Sequence, residues 1–188
     1  MTATTPPRSR VLVGETTSTV RHVVQGEHKV GDHPDECLVT LLGSCVSACL
    51  HDPVAGLGGM NHFLLPGGDE AGGRGGESLG VHAMELLVNA LLVRGASRSR
   101  LVAKLFGGAD TMRGLSDVGA RNAAFASAFL AREGVRVASE CLGGARGRKL
   151  QFWPASGRAR RSFMEAAVIV APPVLSKPAP ASGVLELF

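Results

Sequence analysis

Two apolar runs, Val46–Leu50 and Leu57–Leu65, flank the segment Asp52-Pro53-Val54-Ala55-Gly56, and this pattern most constrains the fold. Pro53 fixes φ and has no N–H to donate, so no central strand continues through it. The runs are expected to fold back on each other as antiparallel strands, 46–51 and 57–65, with 39–42 as a strand before them. A hairpin folded about Val54 sets Val46 opposite His62 and Cys45 opposite Phe63. One bulge residue at Gly58-Gly59 sets Cys45 opposite His62 instead. Directly opposed side chains have Cβ atoms roughly 4.5–5.5 Å apart, close enough for a thiol to meet an imidazole.

That pairing carries chemistry. A free cysteine has a pKa of roughly 8.5, and a neighbouring imidazolium lowers it and raises the thiolate population. Neutral imidazole can manage the proton of a leaving amine. Gly43 and Ser44 precede Cys45, and their small side chains leave backbone N–H groups free to face a developing oxyanion. The competing reading of Cys45 is a buried small hydrophobe, and Cys49 on the same strand face is read that way.

At 188 residues with 45% apolar content, the chain is long enough for one sizeable core. No apolar stretch approaches the ~20 residues of a membrane span, so no membrane insertion is expected. Residues 1–10 lack the apolar centre of a secretory signal. The cysteines at 37, 45, 49 and 141 have no zinc spacing and are too few for a disulfide scaffold. They fit a reduced, cytoplasmic protein. The six histidines have no metal-ligand spacing, and no metal or other cofactor is expected. The net charge is only +4, with basic runs at 94–100, 146–149 and 158–161. Stacking aromatics are scarce, so nucleic acid is not an expected partner. The runs read as a solvated rim, or as steering toward an acidic protein surface.

The segments Leu42-Gly43-Ser44-Cys45-Val46-Ser47-Ala48-Cys49-Leu50-His51-Asp52-Pro53 and Gly58-Gly59-Met60-Asn61-His62-Phe63-Leu64-Leu65-Pro66 resemble the CheD family, the chemoreceptor glutamine deamidases of bacterial chemotaxis. The resemblance continues through Ala83-Met84-Glu85, Lys104-Leu105-Phe106-Gly107-Gly108-Ala109, Gly119-Ala120-Arg121-Asn122 and Leu142-Gly143-Gly144. It covers roughly residues 20 to 165. It departs where the family often has an arginine-tyrosine-glycine step: here Ser78-Leu79-Gly80 stands there, and the chain has no tyrosine.

The resemblance implies a layered α/β sandwich with a mixed sheet, of cysteine-hydrolase-like type. It implies Cys45 as nucleophile, His62 as its partner and Thr40, the only threonine near enough, as a third member. Whether Thr40 faces the site depends on strand register. The implied reaction is hydrolysis of glutamine side chains of chemoreceptors to glutamate through a Cys45 thioester, with ammonia released. The implied partners are the cytoplasmic helices of the receptors and a CheC-like phosphatase. A receptor glutamyl methylesterase and a binding module for chemotaxis proteins are the alternatives.

Residues 1–18 read as a disordered leader, 19–171 as one domain and 172–188 as a flexible tail. The Gly67–Gly76 stretch reads as a loop that could cover the site, or as a plain linker. Helices are expected over 79–94 and from Asp117 to Arg132, and further strands over 101–106, 135–138, 149–153 and 167–170.

Overall fold

The computed structural model describes residues 9–13, 16–66, 74–110 and 116–164. Among these residues, ten strands and two long helices form three layers. Strands β1 (Ser9–Val13), β2 (Thr16–His22), β4 (Glu36–Leu42), β9 (Arg148–Trp153) and β10 (Arg158–Phe163) make one sheet, in the order β1-β2-β4-β9-β10. Strands β3 (His28–Gly31), β5 (Val46–Asp52), β6 (Leu57–Asn61), β7 (Val102–Gly107) and β8 (Arg136–Leu142) make the other, in the order β3-β6-β5-β7-β8. Each sheet is antiparallel except for one parallel pair, β2 with β4 and β7 with β8. Helices α1 (Arg74–Val93) and α2 (Ser116–Arg132) pack on the second sheet. The expected single mixed sheet is therefore two mixed sheets stacked face to face, with helices on the outer side of one.

Strand alternation explains the layering. On β5, Val46, Ala48 and Leu50 join the core under the helices with Met84, Leu87, Phe129 and Leu130. Cys45 and Cys49, on the opposite face, join the core between the sheets with Leu38, Leu42, Met60, Phe106 and Phe152. Cys49 is thus core packing, as expected.

The hairpin between β5 and β6 is present, but its register differs from the expected one. Cys49 pairs with Met60, Asp52 with Leu57, and a last bridge joins Val46 to Phe63. The pairing is regular, without a bulge. Gly58 and Gly59 instead answer a lack of space. A Cβ on Gly58 would lie 2.5 Å from the Pro154 carbonyl oxygen, and one on Gly59 2.8 Å from Leu87 Cδ1. Glycine is needed because β6 is squeezed on both faces.

Several boundaries also differ. Strand β1 and the start of β2 fall in the stretch expected as a leader; β1 folds back along β2, which is itself held parallel to β4. Helix α1 begins at Arg74, inside the expected glycine-rich loop, whose residues 67–73 lie outside the described residues. The tail at 172–188 and the expected strand at 167–170 also lie outside them. Strands β2, β3 and β10 have no counterpart in the sequence reading, because none alternates cleanly between apolar and polar residues.

The first basic run is neutralised: Arg94 pairs with Asp32, Arg98 with Glu133 and Arg100 with Asp52. In the second run, Arg148 is buried and donates to the carbonyls of Cys141 and Gly143. In the third, on edge strand β10, Arg158 stacks on Trp153 at 4.0 Å and Arg161 on Phe163 at 4.3 Å.

Candidate active site

Two connections that carry the chain from one sheet to the other meet at the same place. One is the turn after β2, residues 23–27; the other is the bend between β4 and β5, residues 43–45. His62, one residue beyond β6, lies between them.

Thr40 enters from β4. Leu38, Thr40 and Leu42 share its inward face, so the hydroxyl is aimed between the sheets. Its Oγ1 lies 2.7 Å from the Val23 carbonyl oxygen and 2.8 Å from His62 Nδ1. The Val23 oxygen is 3.4 Å from the same ring nitrogen. These contacts select a tautomer. A hydroxyl has one proton, and Thr40 donates it to Val23. Nδ1 must then carry a hydrogen, donated to Thr40 Oγ1, because a bare nitrogen there would face two oxygen lone pairs. Nε2 is left as the basic atom. It is buried and has no hydrogen-bond partner among the described residues. Burial holds the His62 pKa below its ordinary value, only partly opposed by the Val23 carbonyl, so the ring is neutral at neutral pH.

Cys45 stands at the entry to β5. The Val46–Phe63 bridge places it diagonally from His62 rather than directly opposite. Diagonal neighbours across a strand pair are about 7–8 Å apart, within reach for long side chains. The thiol's hydrogen bond goes to Gln25 Oε1, at 3.6 Å, and not to the imidazole. Burial pushes the Cys45 pKa up, only partly offset by its own backbone amide. The expected thiolate–imidazolium pair is therefore corrected to a neutral thiol beside a neutral base. Desolvation disfavours both charges, and among the described residues no hydrogen bond between the thiol and the imidazole compensates.

The bend that carries Cys45 is pinned from three sides. Gly108 N donates to the Cys45 carbonyl at 2.8 Å, and Ala109 N to that of Gly43 at 2.8 Å. Gly107, at φ +117°, lies so close that a Cβ there would fall 2.1 Å from the Cys45 carbonyl oxygen. Asn122, fully buried on α2, donates from Nδ2 to the Ser44 carbonyl at 3.0 Å and accepts from Leu65 N at 2.7 Å. One side chain so ties the cysteine bend to the strand end that carries His62. With the carbonyls taken, the N–H groups of Gly43 and Ser44 have no acceptor among the described residues, and that of Cys45 faces its own thiol. That is the state an oxyanion site requires.

The structure thus brings Cys45, His62, Thr40, Gly43 and Ser44 into one region. The sequence reading named Asn122 only within a segment of the resemblance, and it did not single out Val23 or Gln25. The one local signal for the last two is Gln25-Gly26, a turn pair between short strands.

A family model described as CheD chemotactic sensory transduction matches residues 64–162. A protein of Acidiphilium cryptum named "Probable chemoreceptor glutamine deamidase CheD" is 54% identical over 175 residues, 89% of this chain and 92% of its own. That coverage necessarily spans positions 45 and 62, which precede the matched model. A protein of the same name from Agrobacterium fabrum is 59% identical over 140 residues, 74% of this chain and 77% of its own. Among solved structures, a Neisseria meningitidis protein of the DUF152 family is similar at a TM-score of 0.48 and 12% identity, over 73% of this chain and 75% of its own.

Proposed function

The chain belongs to the CheD family, and from that premise we propose that it is a chemoreceptor glutamine deamidase with Cys45 as nucleophile. The observation that carries the assignment of residues is the buried Nε2 of His62, without a hydrogen-bond partner among the described residues, with Nδ1 held by Thr40.

The chemistry follows from the neutral pair. As Cys45 Sγ attacks the side-chain carbonyl carbon of a substrate glutamine, Nε2 takes the thiol proton. The carbonyl oxygen becomes an oxyanion facing the N–H groups of residues 43–45. The imidazolium returns its proton to the nitrogen, which leaves as ammonia, and a thioester remains on Cys45. His62, neutral again, takes a proton from water as the water attacks the thioester. Collapse releases glutamate and restores the thiol. Thr40 and the Val23 carbonyl keep Nδ1 protonated, so the same nitrogen, Nε2, serves in each transfer. The site resembles cysteine hydrolases in this division of labour.

The substrate is proposed as glutamine side chains on receptor helices. A cytoplasmic location and a CheC-like phosphatase partner belong to the same proposal and rest on the family alone. Among the described residues no helix is long and apolar enough to cross a membrane.

The test is incubation with a helical receptor fragment, followed by peptide mass spectrometry and assay of ammonia and methanol. The expected result is a gain of about one dalton at particular glutamines with ammonia released. Cys45→Ala should lower turnover by about 10⁴-fold or more, as for loss of a nucleophile. Turnover retained in that variant, or methanol released from methylated fragments in place of ammonia, would refute the assignment.

A further inference from the structure

Among the described residues, Gln25 is the one side chain that the Cys45 thiol contacts by hydrogen bond. Its carboxamide is on an exposed residue, yet it rests on the thiol at 3.6 Å. The backbone explains how. Residues Val24-Gln25-Gly26-Glu27 form a tight turn, closed by Glu27 N to the Val24 carbonyl at 3.0 Å, with Gly26 at φ +85°. Glycine at that third position is what a type II turn requires. The turn is fastened to the peptide of His62 on both sides: Gly26 N donates to the His62 carbonyl at 2.8 Å, and His62 N to the Glu27 carbonyl at 3.0 Å. The residue before the turn, Val23, holds Thr40. Gln25 is therefore presented from the segment that also positions the base.

We propose that Gln25 is a catalytic residue, whose side-chain NH₂ donates to the negative charge that develops at Cys45 and on the attacked amide oxygen. The inference rests on the deamidase reading above. A carboxamide has an acceptor at one end and two donors at the other, of almost the same shape, and its last torsion is soft. Toward a thiol, a donor, the oxygen is the end that fits, as the structure shows. A thiolate or an oxyanion accepts only, so the amide must turn its nitrogen to them. A side-chain donor then joins the backbone N–H groups of residues 43–45. Among the described residues the Gln25 carboxamide has no other hydrogen-bond partner, so the turn breaks nothing.

The experiment measures ammonia release from a receptor fragment by the wild type, Gln25→Ala, Gln25→Met and Gln25→Glu, with Cys45→Ala as control. It also measures the pH dependence of Cys45 alkylation. Gln25→Ala and the similarly long Gln25→Met are expected to lose about 10²–10³-fold in kcat with KM little changed, as for removal of one oxyanion donor. Gln25→Glu is expected to lose more, since a carboxylate repels the charge it should bind. The midpoint of alkylation should rise in all three, which a merely structural role would not produce. Wild-type kcat in Gln25→Ala and Gln25→Met, or a loss confined to KM, overturns the inference. If Cys45→Ala is inactive in the same assay, the deamidase reading survives that result; turnover in Cys45→Ala overturns the reading instead. Recovery of residue 25 as glutamate in the wild type but glutamine in Cys45→Ala also overturns the inference, because Gln25 would then be a substrate of its own thiol.

Discussion

Thr40 Oγ1 and His62 Nδ1 meet at 2.8 Å across the gap between the two sheets, although 22 residues separate them in sequence. The hydroxyl is the hinge of a relay from the Val23 carbonyl to the ring, and it decides which imidazole nitrogen is free.

Thr40→Val keeps the shape and removes that hinge. The ring would no longer be held in one orientation or tautomer, and kcat/KM should fall by about 10²-fold, the scale of an ångström-sized misplacement. Thr40→Ser should recover most of the loss. Steady-state kinetics of the two variants check this, and equal activities in valine and serine would refute the role.

The acid side of the pH profile should belong to His62. Protonated Nε2 cannot take the thiol proton, and burial holds its pKa below about 6.5. kcat/KM should therefore rise with an apparent midpoint under about 6.5 and be flat by about pH 7. The raised Cys45 pKa should add no second rise near neutrality. Stability follows the same sign. The unfolded chain binds the His62 proton more readily than the folded one, so this group's contribution is full above about 6.5 and is lost as pH falls. An activity midpoint above about 7 would contradict the assignment.

Asn122→Ala leaves the Ser44 carbonyl and the Leu65 amide without their buried partner. The expected cost is about 2–3 kcal/mol in urea unfolding. Activity should fall further than stability alone explains, because the cysteine bend and the histidine strand are no longer tied together. Full activity at a temperature where the variant is folded would show that the tie does not serve the site.

Asp52 anchors the far end of the same hairpin. It is fully buried and accepts from Arg100, whose Nη2 lies at 2.7 Å, and from the amides of Val54, Ala55 and Ser97. Arg100 first, and then these amides, hold its carboxyl well below the usual carboxylate range. Its stabilisation is present above the unfolded value of about 3.9 and is lost as pH falls toward the depressed folded value. Asp52→Asn should cost about 2–4 kcal/mol near neutral pH. Denaturation of the variant near pH 3 should lie closer to the wild type than it does near pH 7.

The sequence alone determined the local features of this protein: the hairpin about Asp52-Pro53, the spacing of Cys45 and His62, the two helices and the strands that flank them. Those follow from short-range rules, apolar periodicity and turn residues, that act within a few positions. It could not determine the register, because Gly58 and Gly59 read as a bulge until the neighbours that crowd them are known. It could not orient Thr40, because β4 is buried on both faces from Glu36 to Thr40 and the exposed position after it is another leucine, Leu41, so no apolar–polar alternation marks a face. The contacts of Thr40 with His62, of Asn122 with both site segments and of Gln25 with Cys45 were decided only by the tertiary structure. Each joins residues from different layers, and their separation is set by how the two sheets and α2 stack, a distance that no local pattern encodes.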